Sequence, residues 1–578
     1  MLLRARRSLA RGRALGGRRG GGAFALYLLV SFAFFGARVV GHPEERVVGG
    51  LFTDPQIFIW SFAWWPHAVL HGENPFYTHA IWAPSGFNLT WATSVPGLAA
   101  LFAPVTLLFG PVLAYNVASV LMPPLAAWTA FLLCRRLTGK LWPSLAGGYL
   151  FGFSSYVLGG ELTHVFTVAV FLVPVAALLV LRFVQGDLSR RALLFGMAAL
   201  LVAQMSISTE LLFTLSLALA FALVLSVLLV PASRAPARLL LAPLAGAYAL
   251  AGVVTAPFLY YVLSGTSSRP PAGAREFSAD LLNVVVPTRA SLFGWWTAGV
   301  AGHFPGNDVE RGAYLGLPTI ALVCVFAWQC RRFPSTRFLL AGFLLALLFA
   351  LGPRLTIDGH EHFGLPWEHV AFRPFFENVM PVRLAMYATL AAAVMTALWA
   401  ASAARPAWLR VVLPVAAILA LVPNLGWQAW SRSPTVPALF ATPLYKSCIG
   451  RGENVLLLPF GTLDDTLLWQ VRSGFWFRVA GGYVSPSPPP AYDHPAGAFA
   501  VATENLPPKV TTQSVRQLVR AKGVTTIVLE EEGSAIWRAA LQPLAKPQMV
   551  GGTLLYRLRG ALVPAVACAA AARQARPA

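Results

Sequence analysis

The chain has 578 residues, of which 57% are hydrophobic and only 12% charged, with a mean hydropathy of +0.64. These proportions exclude a soluble globular protein, a disordered chain and a collagen-like rod, and five cysteines are too few for a disulfide-stapled secreted domain. The net charge of +21 does not point to nucleic acid, because the basic residues form short clusters between apolar runs, as the cytoplasmic loops of a membrane protein do.

In chain order, a basic tail over 1–22 carries Arg4, Arg6, Arg7, Arg11, Arg13, Arg18 and Arg19 without an acid, and an apolar run follows from Ala23 to Val40. A cleaved signal peptide is the rival reading. The run is long for one, and His42-Pro43-Glu44-Glu45-Arg46 is not a small-residue cleavage site, so a first membrane helix with a cytoplasmic N-terminus is expected. Further runs able to cross about 30 Å of hydrocarbon lie near 114–134, 142–158, 164–182, 192–207, 210–231, 239–262, 312–330, 337–352, 381–403 and 409–425, about eleven crossings in all. Arg135/Arg136/Lys140, Arg182/Arg190/Arg191, Arg234/Arg238, Arg331/Arg332/Arg337 and Arg405/Arg410 fall between alternate pairs. The positive-inside rule places those loops in the cytoplasm and the C-terminal portion outside. The apolar segment 95–110, broken by Pro96 and Pro104, is too short to span and belongs to the outer face.

The expected architecture is therefore a polytopic α-helical membrane domain over 23–427 in the plasma membrane, with a long first outer loop at 42–113 and further long outer loops at 263–311 and 353–380. After Trp427 the apolar runs shorten to strand length. A soluble α/β domain is expected over 428–560, with strands at Val455–Leu458, Thr526–Leu529 and Leu554–Leu558, a helix over Thr512–Lys522 capped by Thr512, and a frayed tail over 561–578. No CxxC or Cys/His metal spacing and no internal repeat occur.

Candidate chemistry gathers on the outer side. Asp54 sits among Leu51, Phe52, Phe58 and Trp60, surroundings that raise a carboxylate's affinity for a proton and suit it to take one from a sugar hydroxyl. The competing reading is an N-cap for a helix starting at Pro55. Glu161, His164 and Glu210 lie at outer helix ends, where burial in lipid is costly and a cavity is the expected surrounding; an interhelical hydrogen bond is the competing reading for His164. Trp60, Trp64 and Trp65 can stack on sugars or anchor the loop in the interface, as can Trp295-Trp296. Asp308-Val309-Glu310 resembles an acidic metal pair only faintly.

With its first helix leading from a cytoplasmic tail, an Asp early in a long first outer loop, many helices and an outer soluble domain, the chain resembles the GT-C superfamily of integral membrane glycosyltransferases. Short stretches similar to bacterial members are Phe153-Ser154-Ser155-Tyr156 with His164, Ser278-Ala279-Asp280-Leu281, Glu310 with Tyr314-Leu315-Gly316-Leu317-Pro318, and Pro381-Val382-Arg383-Leu384. The resemblance implies that Asp54 is the general base and that a polyprenyl-phosphate-linked sugar is the donor. The implied reaction transfers a hexosyl or pentosyl group with inversion to a glycan, lipid or protein acceptor in the cell envelope. It also implies substrate-binding roles for Arg383, His164, Glu161, Glu210, Asp280, Glu310 and Trp60. Arg383 is expected to neutralise the leaving phosphate, with Arg269, Arg275 and Arg289 as alternatives and interfacial snorkelling as the competing reading for each. The first loop lacks a DxD pair, so neither a metal nor another cofactor is expected. A flippase for a lipid-linked saccharide and a non-catalytic envelope-assembly scaffold are the rival functions; against the flippase stands the collection of polar residues at one face.

Overall fold

The computed structural model describes residues 16–265, 273–371, 373, 376–402, 406–459, 465–485, 488–492, 494, 510–531 and 535–574. A chain segment in hydrocarbon must satisfy its backbone polar groups internally, and the apolar runs accordingly form helices. Seven described helices are long and apolar enough to cross a membrane: Arg19–Arg38, Pro111–Thr138, Val165–Val184, Arg190–Ile207, Thr209–Leu229, Pro231–Val254 and Pro381–Ala401. Leu317–Cys330, Pro334–Ala350 and Leu409–Ala420 are shorter apolar helices. The run expected as one crossing at 142–158 is divided into Leu141–Gly152 and Ser155–Glu161, because the Ser154 hydroxyl caps a new helix by accepting the Val157 amide. The chain is an integral membrane protein. The largely buried span Pro111–Thr138 packs through the small side chains of Ala118, Ala126, Ala127 and Ala130, which let neighbouring backbones approach closely.

The long loop expected on the outer face, 42–113, is structured throughout. Val47 and Val48 pair antiparallel with Arg432 and Ser431, and Pro55–Leu70 is a helix buried along most of its length. The segment with Pro96 and Pro104 forms two short helices, Pro96–Leu101 and Ala103–Phe109, in keeping with its division by proline.

Beyond residue 430 the chain builds a five-stranded mixed sheet in the order Pro547–Val550, Thr553–Arg557, Thr526–Glu530, Asn454–Leu458 and Arg478–Val479. Asn454–Leu458 runs parallel to both its neighbours and the other pairs are antiparallel. The three expected strands are present within a residue or two, whereas Pro547–Val550 and Arg478–Val479 escaped the sequence reading; the latter is only two residues long and the former alternates in exposure. The helix Thr512–Lys522 is capped by Thr511 and not Thr512: the Thr511 hydroxyl accepts the Ser514 amide while the Ser514 hydroxyl accepts the Thr511 amide, a reciprocal capping box. Gly523 closes that helix in a left-handed conformation, φ 60°.

The tail expected to fray contains instead a helix, Ala565–Gln574, tied to the sheet domain by a disulfide between Cys568 and Cys448, 120 residues apart. Closing a loop of that length restricts the unfolded chain and typically contributes about 2–5 kcal/mol. Cys448→Ser should lower the resistance of the sheet domain to unfolding by that order and release Ala565–Gln574 to proteolysis. Limited digestion with and without reductant checks this, and a cleavage pattern identical to the parent would show that the bridge holds nothing.

Candidate active site

The outer helix Pro55–Leu70 carries Asp54 at its N-terminus. Gln56 and Trp60 fix that helix from one side: the Leu467 amide donates to Gln56 Oε1 at 3.0 Å, and Trp60 Nε1 donates to Gln470 Oε1 at 2.8 Å. Both partners belong to the sheet domain's helix Thr466–Arg472. From the other side, the Val48 amide donates to Asn116 Oδ1 at 2.9 Å and the Tyr115 hydroxyl donates to the Val48 carbonyl at 3.1 Å. Asp54 thus stands where the membrane helices, the outer loop and the sheet domain meet.

Its side chain makes no capping hydrogen bond. The carboxylate turns to His164, whose Nε2 lies 3.1 Å from Asp54 Oδ2. The other imidazole nitrogen, Nδ1, lies 3.4 Å from Glu310 Oε1 in an ion-pair contact. Glu310 in turn receives Arg383 through Nε at 3.1 Å and through Nη2, and the remaining guanidinium nitrogen, Nη1, reaches Glu210. The second Glu210 oxygen accepts the Met380 amide at 3.0 Å. Five ionisable side chains from five distant parts of the sequence therefore form one chain of contacts, Asp54, His164, Glu310, Arg383 and Glu210, all at most one-fifth exposed. The Arg383 guanidinium also lies over the Phe166 ring, 5.4 Å from its centroid.

Two close backbone approaches bring Glu310 to this place. A side chain at Gly159 would collide with the Val309 carbonyl, and one at Gly312 would press on the Tyr156 Cα. With glycine at both positions the 309–312 loop lies directly on the helix Ser155–Glu161, three residues before His164.

Charge governs the rest. Burial alone would lower the His164 pKa, but the Asp54 and Glu310 carboxylates outweigh it and raise the imidazole to about 9. The ring, just before the Val165–Val184 span, is therefore cationic at neutral pH. Burial would raise the Glu310 carboxyl, yet Arg383 and His164 hold it well below the usual carboxylate range.

The remaining expected site residues divide. Glu161 is buried, both its oxygens have no hydrogen-bond partner, and burial raises its pKa well above the ordinary value. Asp280 does not face a site: its carboxylate accepts the Leu282, Asp358 and Gly359 amides at 2.9, 3.2 and 2.8 Å and ties two outer loops together. Trp60 is not a sugar platform, because it is fully buried, bonded to Gln470 and stacked on Trp64. Arg383 has three of its nitrogens committed to carboxylates, so in this structure it does not reach into open space. Arg275 lies 3.8 Å from Glu368, Arg289 is exposed and makes no ion pair among the described residues, and Arg269 lies outside the described residues. Burial, and after it the Asp54 charge, raises the pKa of the Tyr483 hydroxyl. Among the described residues no group of three or more His, Cys, Asp or Glu is placed to hold a metal ion.

His164 and Glu310 give opposite pH limbs. His164, raised, contributes stability that is complete below its ordinary 6.5 and is lost as pH climbs through about 9. Glu310, depressed, contributes stability present above its ordinary 4.5 and lost as pH falls. The melting temperature of the purified protein should decline on both sides of a plateau, and His164→Gln should flatten the alkaline limb, worth at most about 3 kcal/mol at about 1.4 kcal/mol per pH unit. Thermal scans from acid to alkaline pH on both proteins decide; an unchanged alkaline limb in His164→Gln refutes the assignment.

Comparison with known proteins supplies a fold and a family. The structure is similar to the arabinofuranosyltransferase AftD from Mycobacteria, with a TM-score of 0.58 at 14% identity over 94% of this chain and 40% of that one. The chain thus spans about two-fifths of the AftD length. Weaker similarities are to ArnT from Cupriavidus metallidurans bound to undecaprenyl phosphate (TM-score 0.46, 13% identity, 94% and 99% covered) and to the Archaeoglobus fulgidus oligosaccharyltransferase (0.47, 12%, 93% and 73%). No curated protein matches in sequence. The fold is GT-C-like, and the chain belongs to the family described as Domain of unknown function (DUF6311), whose model matches residues 24–422.

Proposed function

We propose that the protein is a membrane glycosyltransferase that moves a sugar from a polyprenyl-phosphate donor to an acceptor hydroxyl outside the cytoplasm, with inversion. The observation that carries this reading is the Asp54 carboxylate, unspent on capping and held by a cation at 3.1 Å. A general base must be ionised to act, and the His164 imidazolium stands beside the carboxylate as its counter-charge. The acceptor hydroxyl gives its proton to Asp54 as its oxygen bonds to the anomeric carbon; the bond from that carbon to the phosphate oxygen breaks, and the lipid phosphate leaves with the electron pair. Glu310 and Arg383 act through His164, orienting it, so Arg383 is assigned a positioning role. An exposed arginine such as Arg289 or Arg275 is then left to meet the phosphate.

The Cys448–Cys568 disulfide supports an outer location for the sheet domain, since such bridges persist in oxidising compartments, and it agrees with the N-inside orientation read from the arginine clusters. The GT-C-like fold supports the lipid-linked donor. The test is transfer of a radiolabelled sugar in proteoliposomes. Asp54→Asn should reduce the rate by at least about 10²-fold while donor lipid binding survives, and Glu310→Gln should lower kcat more than it raises KM. Full transfer by Asp54→Asn would remove it as the base. Label that crosses the bilayer without forming a new bond would identify a transporter instead.

A further inference from the structure

A cavity of about 310 Å³ opens where the first outer loop, the end of the helix Ala256–Ser264 and the sheet domain come together. Its walls are the rings of Tyr77, Phe87, Trp91, Tyr260 and Tyr261 with the amide of Asn88. Ser485 and the prolines at 488–490 close it from the sheet domain. The walls are braced: the Asn88 amide donates to the Tyr261 carbonyl at 2.7 Å, and the Tyr261 hydroxyl accepts from Asn74 at 2.6 Å. Two donors are left over, because the Trp91 indole N–H and the Tyr260 hydroxyl make no hydrogen bond to another described residue. None of the lining residues carries a charge.

These features select a ligand class. Aromatic faces beside free hydrogen-bond donors fit a ring whose C–H face is apolar and whose edge is hydroxylated, which is a sugar. Among the described residues a phosphate or a charged headgroup would meet no counter-charge here. Tyr260 and Trp91 stand at its exposed mouth, 66% and 37% accessible, and buried Phe87 with half-buried Tyr77 and Tyr261 lines the hollow.

The cavity walls Tyr77, Phe87, Asn88 and Trp91 belong to the same first loop as the base. Residues 479–484 run along that loop, the Trp82 amide donating to the Gly481 carbonyl at 2.7 Å and the Ala83 amide to the Val479 carbonyl at 2.9 Å, and Ser485 at the cavity edge follows directly. We propose that this cavity is an acceptor subsite that binds a neutral sugar residue of a glycan, adjacent to the sugar whose hydroxyl Asp54 deprotonates. The inference rests on the assignment of Asp54 as the base and adds the acceptor class, a neutral saccharide.

The test uses the full chain in nanodiscs on an array of neutral and anionic oligosaccharides, with Trp91→Ala, Tyr260→Ala and the control Trp296→Ala, an exposed ring outside the cavity. Neutral oligosaccharides should bind the parent and the control, and the two cavity variants should weaken that binding by at least about tenfold. Tyr260→Phe should recover part of the loss. In the transfer assay Tyr260→Ala should raise the acceptor KM more than it lowers kcat. No neutral saccharide bound by the parent, equal binding by both cavity variants, or hits confined to anionic glycans would each overturn the proposal. Asp54→Asn should bind saccharide normally, so an active Asp54→Asn with saccharide-blind cavity variants would sink the base assignment and leave the subsite standing.

Discussion

The contact between the Asp54 carboxylate and the His164 imidazolium has meaning only because a second carboxylate and an arginine stand behind it. A cation buried beside a membrane span without compensation would shed its proton, and a lone buried carboxylate would take one up. Asp54 and Glu310 prevent the first outcome at His164, and Arg383 with His164 prevents the second at Glu310. The row of alternating charges also joins the first outer loop to the starts of three helical segments and to the 302–316 loop. Removing one partner of such a buried pair costs far more than the pair contributes, because the survivor is left unpaired.

The sheet domain forms part of this arrangement. Gln470 accepts a hydrogen bond from the Trp60 indole N–H and donates its own amide to the Ala80 and Phe477 carbonyls, and the Gln56 side-chain oxygen accepts the Leu467 amide. The helix that begins at Asp54 is therefore set as firmly by a domain some four hundred residues later in the chain as by the membrane helices around it. A site held on rigid elements keeps its reacting groups within the narrow geometric tolerance that proton transfer needs.

Much of this was legible in the sequence, and what was not has physical reasons. Membrane character, the short proline-cut helices of the first loop and the sheet domain's principal strands followed from apolar run length, proline position and strand-sized periodicity. That Asp54, His164, Glu210, Glu310 and Arg383 gather at one place was not derivable from spacing, since their meeting depends on the packing of helices far apart in the chain; only resemblance put them on one list. Trp60 and Asp280 stood on that list too, yet one is core and the other a loop staple, because residue type alone does not reveal which way a side chain faces. The C-terminal helix was missed for a different reason. The stretch is short and contains Pro564, which argues against a long helix, but Cys448 and Cys568, both in the C-terminal part of the chain, already carried the signal for a crosslink.

The bare backbone contacts at Gly159 and Gly312 have a consequence of their own. The two peptide segments that present His164 and Glu310 touch with nothing between them, so the spacing of two reactive groups is set by residues that have no reactivity. One added methyl would act as a wedge and uncouple imidazole from carboxylate while leaving every ionisable group intact. Precision in this molecule is stored partly in the absence of side chains, where a survey of chemical groups would never look.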